Sequence, residues 1–250
     1  MNHPVPKPRR LYAAELTGRV VVLSPEEAHH VLHVLRLTVG EEVELFDGKG
    51  ASAVARIAEV KHGAVEVAVA RLHPPEPRMT PAVHLAFAVP QGKRLNWLLE
   101  KATELGAASL RPVVFARSVA GRQELSAGKH GRWHAHCVAA AKQCGLNFLP
   151  AIVPPAGVQE ALAGAAGAFG LVGEPAEDAA GILAALTGRQ DRQEIFLLVG
   201  PEGGITEQER GVIRQAGFIP VRLGRTTLRI ETAAVALLAA TMAACGAAKE

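Results

Sequence analysis

The N-terminal part of the chain alternates between apolar and polar positions, and glycine-containing turns interrupt the apolar runs. A period of two residues is typical of β-strands that bury one face. The pattern predicts four strands, which together favour a small β-barrel. These strands are "RVVVL" at 19–23, "EEVELFD" at 41–47, "ASAVARIAEV" at 51–60 and "AVEVAVARL" at 64–72.

Helical spacing replaces this alternation between the first and second predicted strands. Ser24 precedes Pro25, and Glu27 stands three residues after Ser24, which is the arrangement of a capping box at a helix start. The sequence therefore predicts a helix that packs on the barrel. Its apolar face would contain Ala28, Val31, Leu32 and Leu35.

A proline-rich stretch, "HPPEPRMTP" at 73–81, ends this region. It holds four prolines in nine residues, and neither a helix nor a central strand accepts such a run. We therefore predict a barrel domain over residues 1–73, a linker over 74–80 and a second domain over 81–250.

Strands alternate with helices in the second domain, which is typical of an α/β sheet. Ligands of such sheets bind beyond the carboxyl ends of the strands. Three predicted strands end at a glycine, namely Gly173, Gly200 and Gly224, so their ends are candidate walls of one pocket. The predicted strands are 82–90, 109–116, 168–174, 194–200 and 218–224, and the predicted helices are 93–105, about 125–144 and 232–247.

Composition narrows the class of protein. The chain has 250 residues, of which 49% are hydrophobic and 20% are charged, as in a soluble globular protein. The alanine-rich stretch from Thr232 is too short and too weakly apolar for a membrane span, and the N-terminus lacks a signal-peptide pattern, so we expect a cytoplasmic protein without a membrane partner. Cys137, Cys144 and Cys245 have no ligand spacing, which argues against a disulfide framework or a zinc ribbon.

Charge alone decides little about the partner. The net charge is +3, but Lys7, Arg9 and Arg10 all precede the first acidic residue, Glu15. Such a basic arm either contacts nucleic acid or is simply solvated.

The glycine-rich loop in "LVGPEGGITEQE", at 198–209, follows a predicted strand and precedes a helix start. A phosphate site is disfavoured, because Pro201 has no N–H to donate and Glu202 would repel phosphate. A cationic ligand with a flat heterocycle fits better, since glycine lets the backbone approach closely and a carboxylate attracts a sulfonium. A tight turn closed by a capping box of Thr206 and Glu209 is the structural alternative.

A second charged element, "LGRTTLRIETAAVALL" at 223–238, precedes the alanine-rich helix. Arg229 and Glu231 bracket one apolar residue there. They either pair with each other and cap the helix, or they belong to the same pocket as the glycine loop.

Several motifs, in this order, resemble the RsmE-type methyltransferases of the SPOUT class: "HHVLHVLRLTVGEEVELFDGKG", "KATELGA", "ARSVA", "LLVGPEGGITEQE" and "LGRTTLRIETAAVALL". The resemblance spans nearly the whole chain. It implies S-adenosylmethionine-dependent methylation of N3 of a uridine in small-subunit ribosomal RNA, either free or in the 30S particle. It also implies an N-terminal PUA-like β-barrel, a trefoil-knotted α/β domain and a homodimer.

The resemblance also implies roles for residues. Arg229 would stabilise the uracil anion as the N3 proton leaves, with Glu231 orienting it, and the general base stays unassigned. Where we expect an arginine after the "AAAKQCG" helix, the chain reads Leu146 and Asn147, so any RNA contact of that arginine is absent or moved. Cofactor contacts are expected from Gly173, Leu198, Gly200, Glu202, Gly203, Gly204, Leu223, Gly224, Leu228 and Thr232, and RNA contacts from Arg9, Arg10, Arg36 and Arg117.

Other chemistry finds less support. His29 and His33 have a metal-like spacing and "HAHC" at 134–137 crowds potential ligands, but neither forms a complete site, so no metal is expected. No G-x-S-x-G elbow supports a hydrolase. The alternatives that stay open are a non-catalytic RNA-binding assembly factor and an adenine-nucleotide enzyme.

Overall fold

A computed structural model describes residues 9–75, 77, 81–118, 127–176, 179–189 and 193–246, with only the backbone at 127–129. The chain forms two compact units, Met1–Arg78 with Ala141–Leu149, and Met79–Ala140 with Pro150–Glu250. Part of the predicted linker, at 76 and 78–80, lies outside the described ranges, and the boundary at 74–80 stays a prediction. The segment Ala141–Leu149, which the predicted boundaries place in the second domain, belongs to the first compact unit.

The first unit is built on a five-stranded sheet in the order β1-β3-β4-β5-β2. All its strand pairs are antiparallel except β1 with β3, which is parallel. The inward-facing side chains of alternate positions, such as Val43, Leu45 and Val67, are fully buried in one apolar core. The strands are β1 (Arg9–Tyr12), β2 (Val20–Val22), β3 (Glu42–Phe46), β4 (Ser52–Lys61) and β5 (Ala64–His73), so the four predicted strands are confirmed.

Strand β1 corrects the prediction of a basic arm. Arg9–Tyr12 pairs with β3, with Leu11 opposite Leu45, and Leu11 is fully buried. A strand of four residues with two arginines lacks a readable alternation, because only Leu11 carries an inward apolar side chain.

The predicted helix begins where expected and then changes its winding. Helix α1 (Pro25–His29) follows Ser24, whose Oγ accepts a hydrogen bond from the Glu27 N–H at 3.3 Å. The chain continues as a π-helix over His30–Leu35 and ends at Arg36, which has φ 55°. The predicted helix is therefore present, and its change from α to π winding was not predicted, because apolar spacing over so short a stretch does not distinguish the two windings.

The second unit contains an eight-stranded sheet whose strand pairs are all parallel, with the order β11-β13-β10-β12-β6-β7-β8 and β9 beside β7. The five predicted strands are confirmed, whereas the two-residue strands were not predicted. The strands are β6 (Ala82–Ala88), β7 (Ser109–Val114), β8 (Ala151–Ile152), β9 (Ala156–Gly157), β10 (Phe169–Gly173), β11 (Ala180–Gly181), β12 (Glu194–Val199) and β13 (Ile219–Arg222).

Six helices accompany this sheet in the described ranges. Helix α7 contacts α2 and strands β6, β10 and β12, so its alanine-rich sequence serves close packing. In the part of the chain that is described, no helix has the length and hydropathy of a membrane span. The helices are α2 (Lys93–Glu104), α3 (Ala127–Cys144), α4 (Val158–Ala163), α5 (Ile182–Leu186), α6 (Glu207–Gln215) and α7 (Ile230–Gly246).

Candidate cofactor and RNA site

A cavity of about 450 Å³ lies at the carboxyl ends of β10, β12 and β13 in the second unit. Gly173, Gly200 and Gly224, the three glycines at the predicted strand ends, all line it. The other walls include one side of α6, the loop at 226–228 and the first half of α7. Because parallel strands bring their carboxyl ends to one edge, separate segments converge there.

Two of the glycines allow other residues of the cavity wall to pack closely against the backbone. A Cβ at Gly200 would lie 2.7 Å from Cγ1 of Ile205, and a Cβ at Gly173 would lie 2.7 Å from Cδ1 of Leu237. At Gly204 the backbone has φ +76°, which favours glycine. The glycine loop is thus folded tightly against Ile205, and its bare backbone forms part of the cavity surface.

Three of the ten predicted cofactor residues are not on the cavity wall. Leu198 is fully buried inside β12, Gly203 lies against Arg117, and Thr232 is exposed on α7. Sequence motifs include residues that support a loop as well as residues that face its ligand. The seven that line the cavity are Gly173, Gly200, Glu202, Gly204, Leu223, Gly224 and Leu228.

An ion-pair cluster that the sequence did not indicate closes one side of the cavity. Arg210 Nε donates to Glu174 Oε1 at 2.6 Å, and Arg210 also pairs with Glu207. All three side chains belong to lining residues. Glu174 directly follows Gly173, so a charged residue after a strand-end glycine was the available signal.

A second charged cluster involves Glu202, which lines the cavity. Arg94 NH1 lies 3.5 Å from Glu202 Oε1 and 3.9 Å from Glu231 Oε1. Glu231 is buried, and its Oε2 accepts no hydrogen bond from the described residues. Arg94 was not predicted, since "KRLNWLLEK" shows only an amphipathic helix start.

The structure separates Arg229 from the partner expected for it. The Arg229 side chain is exposed, and within the described ranges it forms neither an ion pair nor a hydrogen bond. Its backbone carbonyl accepts from the Ala233 N–H at 2.9 Å, as the first turn of α7 requires. An Arg229–Glu231 pair is therefore wrong, because Arg94 supplies the cation beside Glu231.

The predicted capping box of α6 is confirmed. Thr206 Oγ1 accepts from the Glu209 N–H at 3.3 Å, and Glu209 Oε2 accepts from the Thr206 N–H at 2.9 Å. Glu209 also accepts from the Ala116 N–H at 2.7 Å. Burial opposes ionisation, but these hydrogen bonds and the nearby Arg117 outweigh it and lower the pKa of Glu209.

The four arginines predicted to bind RNA differ in how far their side chains are exposed to solvent. Arg9, Arg36 and Arg117 are exposed, and Arg117 donates to the Gly203 carbonyl at 3.0 Å. Arg10 is instead mostly buried. It is withdrawn from the predicted RNA contacts because its guanidinium is used within the first unit.

Arg10 ties the segment Ala141–Leu149 to the barrel sheet. Its guanidinium donates to the carbonyls of Ala141 at 3.0 Å and Leu146 at 3.2 Å, and to Asn147 Oδ1, while Glu44 lies 3.4 Å from its Nε. Burial lowers the pKa of Arg10, and Glu44 opposes that shift. Leu146 and Asn147, where an arginine was expected, are thus partners of Arg10.

The histidine and cysteine clusters form no site of their own. The rings of His29 and His33 are tilted by 41° with centroids 4.5 Å apart, and no group of three or more metal-ligating side chains occurs among the described residues. Burial raises the pKa of Cys137 to about 11, so this thiol is not a nucleophile at neutral pH.

Comparisons with known families cover both units. The family model for an RNA methyltransferase PUA domain matches residues 23–70, and the model for an RNA methyltransferase domain matches residues 77–242. The second match contains every residue that lines the cavity.

Individual relatives match over most of their length. Ribosomal RNA small subunit methyltransferase E of Mycobacterium tuberculosis is 33% identical over 90% of this chain and 86% of the relative. The protein of that name from Bacillus subtilis is 27% identical over 92% and 94%.

Two solved structures with bound cofactor are similar as well. A methyltransferase from Legionella pneumophila in complex with S-adenosylmethionine has 30% identity and a TM-score of 0.86, over 95% of this chain and 98% of that one. Ribosomal RNA small subunit methyltransferase E from Neisseria gonorrhoeae, bound to S-adenosylmethionine, has 32% identity and a TM-score of 0.82, over 93% and 96%.

Proposed function

Since this chain belongs to the RNA methyltransferase family that includes ribosomal RNA small subunit methyltransferase E, we propose that it methylates N3 of one uracil in small-subunit ribosomal RNA with S-adenosylmethionine. The expected N-terminal PUA domain and C-terminal parallel α/β methyltransferase domain are confirmed, and we propose that the second domain has the trefoil knot of the SPOUT class. The observation that carries the proposal is the cavity at three strand ends, inside the matched methyltransferase region.

The cavity suits the cofactor in size and chemistry. Its volume of about 450 Å³ falls in the range of roughly 300–1,000 Å³ that is usual for small-molecule sites. Gly200, Gly204 and Gly224 offer bare backbone to a flat heterocycle, and Glu202 offers a carboxylate to a cation. When bound, S-adenosylmethionine supplies an activated methyl group. Leu223 and Leu228 would supply apolar contacts.

Arg229 is assigned to the base that is methylated. It directly follows Leu228, which lines the cavity, and its guanidinium is exposed and uncommitted among the described residues. A guanidinium there stabilises the uracil anion left when the N3 proton departs. Glu231 is assigned to Arg94, the cation that also pairs with the cavity-lining Glu202, rather than to Arg229.

The proposal also covers the arginines that contact RNA and the location of the protein in the cell. Arg9 and Arg36 of the barrel and Arg117 of the second unit are exposed cations suited to phosphates. The substrate is either naked small-subunit ribosomal RNA or the 30S particle, and the protein acts in the cytoplasm.

We also propose that the chain is a homodimer. Helix α7 has small residues that permit close backbone approach, although packing inside one chain uses several of them. Light scattering at micromolar concentration should give twice the chain mass of 26.2 kDa. A monomeric mass would contradict this proposal and leave the methylation proposal intact.

Two measurements test the activity. Calorimetry should show binding of S-adenosylmethionine and none of ATP, whereas ATP binding alone would indicate an adenine-nucleotide enzyme. Mass spectrometry of ribosomal RNA from a deletion strain should show the loss of one N3-methyluridine. Unchanged RNA modification, with neither ligand bound, would indicate a non-catalytic assembly factor.

A further inference from the structure

Three exposed arginines lie at the edge of the cavity. Arg214 and Arg222 line it, and Arg225 lies between Gly224 and Thr226, which also line it. None of the three side chains forms an ion pair or hydrogen bond with the residues that the structure describes. We call Arg214, Arg222 and Arg225 the arginine rim.

The rim comes from three different elements. Arg214 lies in the last turn of α6, four residues after Arg210 and so on the same helix face. Arg222 ends β13, and Arg225 follows it in the loop that leads to α7. The fold therefore collects these charges at one edge of the sheet, although no short sequence motif contains them all.

The carboxylates that line the cavity form no ion pair with the rim in the part of the chain that the structure describes. Glu174 and Glu207 both pair with Arg210, and Glu202 pairs with Arg94. The three guanidinium groups of the rim thus stay available for hydrogen bonds to a ligand at the edge of the cavity. Like charges held close together without counterions destabilise a folded chain, so this arrangement favours an anionic partner.

On the basis of the proposed function, we propose that the arginine rim binds phosphate groups of the RNA strand on either side of the base that enters the cavity. The RNA backbone carries one negative charge per nucleotide, and several phosphates must pass the rim when one base reaches the methyl donor. The planar guanidinium of arginine matches the oxygen geometry of phosphate. The rim would position the strand, and it would do so without reading its sequence.

The carboxylate of the methionine moiety of S-adenosylmethionine is the competing anion. One carboxylate occupies one guanidinium fully and leaves the others unpaired. Three separate arginines therefore fit a strand with repeated charges better than a single small ligand.

The test uses the full chain and the variants Arg214→Gln, Arg222→Gln and Arg225→Gln, singly and together. Affinity for a fragment of small-subunit ribosomal RNA is measured without cofactor over a range of salt concentrations, and again for an unrelated RNA hairpin. Arg189→Gln is the matched control, because Arg189 stacks on Phe169 at the start of β10, the opposite end of the same sheet.

Each single substitution should weaken binding of both RNAs by roughly three- to tenfold at low salt. It should also reduce the slope of log affinity against log salt by about 0.7 to 1. The triple variant should lose about three times as much slope, and the control should lose neither. Calorimetry of Arg225→Gln, whose residue is not among those that line the cavity, should give an unchanged affinity for S-adenosylmethionine.

Two results would contradict the proposal that the arginine rim binds RNA phosphates. If the rim variants had the same RNA affinity and salt slope as the Arg189→Gln control, the arginine rim would not contact RNA. A fall in cofactor affinity with unchanged RNA affinity would assign it to the cofactor's carboxylate. Failure of the proposed function is separate, since it would appear as wild-type protein that neither binds S-adenosylmethionine nor methylates RNA.

Discussion

At the scale of single residues, the arginines near the cavity differ in whether carboxylates pair with them. Arg94 stands between two carboxylates, Glu202 and the buried Glu231, and Arg210 stands between two others. These guanidinium groups are committed to the cavity wall. Arg229 has no such commitment among the described residues, so its charge is available to a ligand.

This difference predicts that Arg229→Ala affects the reaction alone. The single-turnover methylation rate should fall by roughly a hundredfold or more, the effect of losing one preorganised donor. Cofactor affinity should stay within a few fold, because a guanidinium gains little from a sulfonium. Calorimetry with S-adenosylmethionine and methyl transfer at saturating cofactor measure the two quantities.

Arg94→Gln is the contrasting variant. It leaves the buried Glu231 carboxylate without its cation, so the melting temperature should fall, whereas Arg229→Ala should leave it unchanged. An unchanged methylation rate in Arg229→Ala would exclude the residue from catalysis. A collapse of cofactor affinity would place Arg229 on the cavity wall instead.

At the scale of elements, two glycine turns line one cavity for different physical reasons. A Cβ at Gly200 would meet the buried Ile205 at 2.7 Å, while a Cβ at Gly224 would have nothing within 4 Å. Neither residue has a positive φ. Gly200 is therefore required by packing, and Gly224 is free of that requirement.

The contrast predicts separate effects of two alanine substitutions. Gly200→Ala should lower the free energy of unfolding by about 1–3 kcal/mol, because overpacking forces Ile205 to move. Gly224→Ala should leave stability within about 0.5 kcal/mol and weaken cofactor binding several fold, since Gly224 lines the cavity. Urea unfolding and calorimetry test both variants, and equal destabilisation by the two would contradict the packing argument.

The capping box of α6 should make stability depend on pH. Hydrogen bonds lower the pKa of Glu209 in the folded chain, so its contribution is present above the unfolded pKa and is lost as pH falls through the folded one. Glu209→Gln should lower the free energy of unfolding at pH 7 by about 1 kcal/mol.

Below about pH 4, this difference should shrink, because the wild-type carboxylate is then protonated as well. Urea unfolding of both proteins at pH 7 and in acid measures it. If the difference in free energy of unfolding between the two proteins were constant with pH, the charge of Glu209 would not contribute to stability.

How far the sequence predicts the molecule depends on whether the deciding contacts are local. Capping of α6 by Thr206 and Glu209, and the strand-end glycines, follow from neighbouring residues and the rules for parallel sheets. The Arg94 pairs join residues far apart in the chain, so no local pattern indicates them. Strand β1 was missed for the same reason, since it is specified by its partner β3.

At the scale of the whole molecule, the two units hold different parts of the proposed activity. All the cavity-lining residues lie between 173 and 237, inside the second unit. The exposed Arg9 and Arg36 lie in the first unit, together with the segment Ala141–Leu149. Cofactor binding and full RNA binding should therefore be separable by truncation.

A fragment of residues 81–250 should bind S-adenosylmethionine within a few fold of the full chain but should not methylate RNA. It keeps the cavity and loses Arg9 and Arg36. It also loses Arg10 and Glu27, the partners of Ala141–Leu149, so its melting temperature should fall.

Arg10→Met in the full chain is the matched control for that second loss. It removes the guanidinium from the carbonyls of Ala141 and Leu146 while the rest of the barrel stays in place. This variant should melt at a lower temperature, because two part-buried carbonyls lose their donor, and it should still methylate RNA.

A truncated fragment with full methylation activity would contradict the proposed division between the units. An inactive Arg10→Met variant that binds cofactor normally would instead show that the anchoring of Ala141–Leu149, and not the loss of Arg9 and Arg36, limits the fragment.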